Sequence, residues 1–217
     1  MADHITAAFQ QPLARTAITL AGVSGVRAGW VGGGRRSLAA LRLSDAGHLA
    51  KVHVRADPDT AFANTLGVGL GRSRRRGDGT LVVGSGPGEW LLVGSVGAAG
   101  ALLREVHDGA GSQFVTAVDL THGRALMRLT GQSAARTLAK VCAIDLADTT
   151  TPEGSALRTA VARVSTDLVR DDAGCSDGLP SYLLHCERSS GQYLFDCLLD
   201  AGAEFGVEPE GPDLDRS

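Results

Sequence analysis

No apolar run in this sequence approaches the roughly 18 residues that a membrane-crossing helix needs, and that excludes a helical span. An excess of one charge is also lacking. With 21 Lys and Arg against 24 Asp and Glu, the formal net charge is −3, which gives no electrostatic case for nucleic acid or an anionic membrane as principal partner. The opening residues MADHITAAFQQPLARTAITL carry an acid and lack the charged-then-apolar order of a signal peptide, so the expected location is cytoplasmic. Cysteine occurs four times (Cys142, Cys175, Cys186, Cys197), with no C-x-x-C pair and no histidine at zinc-type spacing. His185 adjoins Cys186, but neighbours on a strand point to opposite faces. No metal site is expected, and the thiols are expected to be reduced, small and mostly buried. Aromatics make up only 4% of the chain whereas glycine occurs 29 times, so helices are expected to pack closely on sheets through small residues.

The 217 residues, 43% apolar and 21% charged, suit one compact domain or two small intimate ones. One stretch invites a specific test. LVVGSGPGEW at 81–90 resembles a G-x-G-x-x-G phosphate cradle, in which glycines make the turn, admit the pyrophosphate and let helix pack on strand. Gly84 and Gly86 fill the first two places, but Glu89 takes the third and would set a carboxylate against the diphosphate. The following EWLLV is a run of strand formers, so the whole stretch predicts a β-hairpin with Gly and Pro at its turn.

A repeat organises the chain. Residues 1–49 read as an irregular N-terminal segment. The first half, 50–110, reads strand (Lys51–Arg55), helix (from Asp57-Pro58-Asp59, burying Phe62 and Leu66), hairpin (80–93) and helix (97–107). The second half, 111–206, repeats the order: a strand at Arg124–Leu129, a helix in GQSAARTLAKVCAIDL, a long strand at Leu157–Val169, a strand at Ser181–Cys186 and a helix over 190–203. Trp90-Leu91-Leu92 with its helix matches Tyr182-Leu183-Leu184 with its helix at a constant offset of 92 residues, which sets Leu102 opposite Leu194. This predicts an α+β protein of two ferredoxin-like βαββα halves, packed sheet to sheet or sheet to helix. SRRRGDG at 73–79 and DDAGCSDG at 171–178 read as exposed loops, and the acidic tail at 207–217 reads as loose.

Three groups of residues raise the question of chemistry. Gly174-Cys175-Ser176-Asp177-Gly178 fits G-x-S-x-G, but it lies between strands, without the helix that a nucleophile elbow runs into. Arg72, Arg74, Arg75 and Arg76 repel one another and suit either a solvated loop or docking to an acidic partner. No aromatics interleave with them, which argues against single-stranded nucleic acid. Asp119-Leu120-Thr121-His122-Gly123-Arg124 joins the halves. It offers Asp119 or His122 as base and Arg124 as anion clamp, or else a turn in which Asp119 and Thr121 cap backbone and Gly123 takes an unusual dihedral. No catalytic constellation emerges from the residues.

The segment VDLTHGRALMRLTGQSAARTLAKVCAIDL, 118–146, with its D-x-T-H turn, strand, T-G turn and helix ending in Asp-Leu, resembles the central part of the aminomethyltransferase-like (GcvT-like) folate-binding proteins. Within them it is most similar to the gamma subunits of heterotetrameric sarcosine oxidase. The G-x-x-E-W-L-L strand at Gly86–Leu92 and the closing YLFDCLLDAG helix at 193–202 extend the resemblance to about residues 50–205. It implies a GcvT-like fold and a non-catalytic, structural subunit beside alpha, beta and delta chains. That complex would oxidatively demethylate sarcosine to glycine, with oxygen as acceptor and hydrogen peroxide as product. The one-carbon unit would leave as formaldehyde or as 5,10-methylenetetrahydrofolate. FAD, FMN, NAD, zinc and tetrahydrofolate are expected on partner chains and no cofactor on this one. If a pterin does bind here, Asp119 is the carboxylate expected to grip its ring, with Thr121, His122 and Arg124 beside it. The arginine loop and the acidic tail are not features of that family.

Alternatives remain. A stand-alone folate-binding aminomethyltransferase-like protein would be expected to run longer, with a third, C-terminal barrel. The K-G-C-x-x-G-Q-E motif of related iron–sulfur-assembly proteins is absent around Cys175. A gamma-like subunit of another methylamino-acid oxidising complex is the remaining reading.

Overall fold

The computed structural model describes residues 14–20, 26–27, 30–31, 37–175 and 177–211. Along them run β1 (Ala14–Arg15), β2 (Val26–Arg27), β3 (Trp30–Val31), β4 (Leu41–Asp45), β5 (Ala50–Ala56), α1 (Ala61–Leu66), β6 (Ser73–Arg75), β7 (Leu81–Gly86), β8 (Glu89–Gly94), α2 (Ala99–Ala110), β9 (Val115–Asp119) and β10 (Arg124–Gly131). Then come α3 (Ala134–Leu138), β11 (Ala156–Val161), β12 (Val164–Arg170), β13 (Ser181–Glu187), α4 (Gly191–Gly202) and β14 (Glu208–Glu210). A first sheet has the order β6-β7-β8-β5-β9, a second the order β11-β12-β13-β10-β4-β14, and β1, β3 and β2 form a small sheet apart.

The repeat holds to the residue in its best-matched part. Helices α2 and α4 each have 12 residues, and their starts, Ala99 and Gly191, keep the offset of 92. The EWLLVG and SYLLHC runs are apolar without alternation because both faces of their strands are covered. In β8, Trp90 and Leu92 face α1 and α2, while Leu91 and Val93 face the second sheet. In β13, Tyr182, Leu184 and Cys186 face α3 and α4, while Leu183 meets the first sheet. The halves therefore pack sheet to sheet, in four layers: helices, sheet, sheet, helices.

The sequence at 81–90 is a hairpin. β7 and β8 pair antiparallel, with Pro87 and Gly88 between them. Gly88 has φ +66°, and a Cβ there would sit 2.4 Å from the Ala56 carbonyl oxygen, so proline followed by glycine is what this turn demands.

Several boundaries differ from the sequence reading. The segment 1–49, expected to be irregular, contains β4, which pairs with β10 of the second sheet. Strand β9, placed by sequence in the second half, pairs with β5 and completes the first sheet. The two sheets thus exchange strands: β4 holds beside β10 the place that β9 holds beside β5. The tail expected to be loose includes β14, parallel to β4. Its carboxylates are held there, Glu208 by the Ser37 hydroxyl at 2.6 Å and Glu210 by the Ser44 hydroxyl at 2.5 Å. The long strand expected at 157–169 is a hairpin, β11 and β12, turning on Ala162 and Arg163 with φ of 48° and 66°. SRRRGDG is not a free loop either, since β6 pairs with β7 and its neighbour Arg72 bridges to Ser155. Asp171, expected in an exposed loop, is 2% exposed.

Cys142 and Cys186 are buried, and all four cysteines are free. Among the described residues no helix is long and apolar enough to cross a membrane, and no group of three His, Cys, Asp or Glu could hold a metal ion.

Candidate functional site

The chain crosses between the sheets twice, and both crossings meet at Lys51. Residues 46–49 lead from β4 into β5; residues 120–123 lead from β9 back to β10. Lys51 has 0% exposure. Its Nζ donates to the carbonyls of Gly47 and Leu49, each at 2.8 Å, tying down the first crossing. Its backbone ties the second, its N–H donating to Thr121 Oγ1 at 3.1 Å and its carbonyl accepting from Leu120 N at 2.7 Å. Asp45 closes the same loop from the other side, its Oδ1 accepting from Gly47 N at 2.9 Å. Burial pushes the Asp45 carboxyl up to about 6, although hydrogen bonds from Thr16 and Gly47 and the charges of Lys51 and Arg188 oppose it. Burial likewise pushes the Lys51 amine down to about 8, against the charges of Asp45 and Asp119.

Between the sheets the layer is apolar in the middle, where Leu81, Val83, Leu91, Val93, Leu126 and Leu183 meet. It is charged at both ends. At one end Asp167 accepts from Arg158 Nε at 2.7 Å, contacts His185 Nδ1 at 3.2 Å and lies 3.8 Å from Arg124. Burial works to raise the Asp167 carboxyl, but its bonds to His185 and Arg158 prevail and hold it below the ordinary value. Burial lowers the neighbouring His185, which keeps the imidazole neutral between them. Arg158 also reaches across to Glu89 of the first sheet at 3.9 Å, and Glu89 pairs with Arg55 at 3.0 Å. At the other end Asp171 receives Arg75 from β6 at 2.9 and 2.5 Å and Arg128 from β10 at 2.6 Å. Two guanidinium groups from different sheets thus share one buried carboxylate.

The six-residue turn singled out in the sequence is a connection in this frame. Asp119 is exposed and its Oδ1 accepts from Thr121 N at 2.8 Å, the local cap expected of an Asp-x-Thr turn. Thr121 is buried on Lys51. The exposed His122 stacks on Trp30 with ring centroids 4.9 Å apart, and its carbonyl accepts from Arg188 at 3.2 Å. Arg124 pairs with Glu187 and approaches Asp167. Gly123 is not among the glycines of positive φ, so the unusual dihedral expected there is not found: Gly123 N bonds Leu120 O in an ordinary turn. Asp119 thus stands in solvent with one carboxylate oxygen engaged by the turn.

Of the four arginines, Arg75 is drawn inward to Asp171 and Arg76 pairs with Glu105. Only Arg72 and Arg74 are exposed, and Arg74 folds over Gly67. The structure therefore links Asp119 to Thr121 but turns Thr121, His122 and Arg124 to separate partners, and it divides the arginine run. Residues that sequence reasoning passed over, among them Asp45, Lys51, Asp167, Asp171 and His185, carry the junction. No local signal marks them: Lys51 shares a face with Leu91 and Val93 through the register of β5 on β8, which the sequence alone does not give.

No family model matches the chain. It is 28% identical over 177 residues to a sarcosine oxidase subunit gamma from Corynebacterium sp. (strain P-1), covering 78% of this chain and 83% of that one. A chain of the heterotetrameric sarcosine oxidase from Corynebacterium sp. U-96, solved with pyrrole 2-carboxylate, superposes with a TM-score of 0.66 at 25% identity, covering 81% of this chain and 90% of that chain. The aminomethyltransferase T of the glycine cleavage system from Bartonella henselae shares the fold, with a TM-score of 0.67 at 18% identity; this chain spans 55% of its length. Over most of its length, and of theirs, the chain is similar in sequence to a sarcosine oxidase subunit gamma and in structure to a chain of a heterotetrameric sarcosine oxidase, on a GcvT-like aminomethyltransferase fold.

Proposed function

We propose that the chain is the gamma subunit of a heterotetrameric sarcosine oxidase and serves there as a structural, non-catalytic part. One observation carries the reading: similarity extends over four-fifths or more of both this chain and the oxidase chain of the solved heterotetramer, covering 81% and 90%. The junction supports it from within. Arg75 of the first sheet meets Asp171 beside the second, Arg158 of the second reaches Glu89 of the first, and Lys51 ties down the 46–49 crossing through two carbonyls, so these charges are engaged by the fold itself. Buried charges arranged in this way fix the relative placement of two halves, which suits a chain whose task is to present a rigid surface.

In this reading the alpha, beta and delta chains hold FAD, FMN, NAD, zinc and tetrahydrofolate, and the complex works in the cytoplasm. Sarcosine, oxygen and water would give glycine, formaldehyde and hydrogen peroxide, redox chemistry that a flavin held by a partner chain would supply. The test is co-expression of the tagged chain with its neighbouring oxidase genes. A yellow, four-chain eluate that releases peroxide with sarcosine is expected; a colourless single chain refutes the reading. The fold shared with aminomethyltransferase T favours a second reading, folate binding by this chain alone at Asp119. A folate titration in which Asp119→Ala weakens binding would support it, and absence of binding to the wild-type chain would end it.

A further inference from the structure

The two charged ends of the layer between the sheets differ in how their groups meet. At the Asp171 end, Arg75 crosses from the first sheet and bonds the carboxylate directly, at 2.9 and 2.5 Å. At the Asp167 end, the contact from sheet to sheet is Arg158 to Glu89 at 3.9 Å. Beside it Arg124 lies 3.8 Å from Asp167, and His53 lies 3.8 Å from Glu89. These separations are too long for hydrogen bonds and are typical of polar groups that share water. Two nitrogens at this end, Arg124 Nε and His185 Nε2, are buried and have no hydrogen-bond partner among the described residues. His185 as a whole is 4% exposed. In the pairing of β10 with β13, Arg124 lies opposite Glu187 and Leu126 opposite His185, which makes Arg124 and His185 diagonal neighbours on one face. That face is the one turned to the first sheet, where Leu126 packs.

The polarity of the two nitrogens is fixed by their neighbours. Asp167 Oδ2 lies 3.2 Å from His185 Nδ1. An ionised carboxylate only accepts, so the proton of the neutral ring sits on Nδ1 and leaves Nε2 an acceptor. The Nε–H of Arg124 only donates. Buried polar groups are seldom left unpaired in a folded protein, and a single oxygen that accepts from the guanidinium and donates to the imidazole satisfies both. We propose that an ordered water lies between the sheets at this end, accepting from Arg124 Nε–H and donating to His185 Nε2. Its second hydrogen has carboxylates in the same cluster, because Arg124 meets both Asp167 and Glu187, and that makes the three bonds usual for a buried water. The side chains of Arg158 and Glu187, 52% and 65% exposed, give it a route to bulk solvent. The water then holds the imidazole in the tautomer that Asp167 requires, and the sheets are joined directly at Asp171 and through solvent at Asp167.

The test is a high-resolution crystal structure of the full chain, alone or in its complex, which should show a water within about 3.2 Å of both nitrogens. Nitrogen-15 spectra of the full chain near neutral pH should place the His185 proton on Nδ1, with a persistent water cross-peak to the ring. In His185→Leu, which accepts no hydrogen bond, the water should be lost, circular dichroism reporting whether the variant folds. If the leucine variant does not fold, the two wild-type measurements decide. A direct bond between Arg124 and His185, a proton on Nε2 of the neutral ring, or no water at the pair overturns the proposal. A different small molecule at the pair overturns the choice of ligand, and a water retained at full occupancy in a folded leucine variant overturns the role of His185.

Discussion

Replacement of Lys51 by methionine separates the electrostatic cost of the junction from its hydrogen bonds. The ordinary value of the amine is 10.5, and burial lowers it to about 8 in the folded chain. Between those two values the unfolded chain keeps the proton and the folded chain does not, so wild-type stability gains from this group as pH rises through the window. Below about 8 both states are charged and the folded state bears the whole penalty, about 3 kcal/mol at ~1.4 kcal/mol per pH unit. Deprotonation does not release the crossing. A neutral amine still has N–H groups for the Gly47 and Leu49 carbonyls. Methionine removes both penalty and bonds, and each carbonyl left without a donor costs about 1–3 kcal/mol. Near pH 7 these effects offset one another and the two proteins differ little. At pH 10.5 wild type leads by about 3 kcal/mol more than at pH 7. Urea unfolding followed by fluorescence of Trp30 and Trp90 measures the difference at each pH. Other groups that titrate in this range, such as Cys186, pushed up by burial to about 11, are common to both proteins and cancel. Asp45 titrates near 6, outside the window. A difference that stays constant from pH 7 to 10.5 refutes a charged, desolvated Lys51.

Two further perturbations probe the charged ends and the hairpin turn. Gly174→Ala places a methyl group into Asp171, Arg75 and Arg128, which already touch one another, so a loss of about 1–3 kcal/mol in urea unfolding is expected. The loss should shrink in an Asp171→Ala background, and full additivity would exclude the clash as its cause. The turn at 162–163 has left-handed φ of 48° and 66° without glycine or asparagine. Ala162→Asn with Arg163→Gly should raise the melting temperature, relieving about 1–2 kcal/mol of backbone strain; an unchanged or lower temperature refutes that.

Much of the architecture was legible because it is local. A hairpin at 81–94 follows from Gly86-Pro87-Gly88, and equal offsets of strand and helix follow from matched apolar spacing. What escaped notice is non-local. Strand β4, LRLSD, alternates over only five residues, too short a run to stand out before it pairs with β10, more than eighty residues on. Ala162-Arg163 lacks the turn residues that would have split one long strand into two.

The junction was hidden for a stronger reason. A buried charge is recognisable only by its partner, and Arg75 meets Asp171 at a separation of 96 residues while Arg128 meets it at 43. From the sequence alone, arginines in a run look like a solvated loop, and the aspartates of DDAG look like its acidic counterpart. Once the sheets are stacked, the same residues become a desolvated pair whose members each need the other. The visible polar cluster, Asp119 to Arg124, was dense because a short turn packs its polar groups close in sequence; the buried charge lies instead between strands, at Lys51, Asp167 and Asp171, where Arg75 crosses from the first sheet to Asp171. A chain that spends its charged interior on fixing its own geometry is suited to bracing other chains.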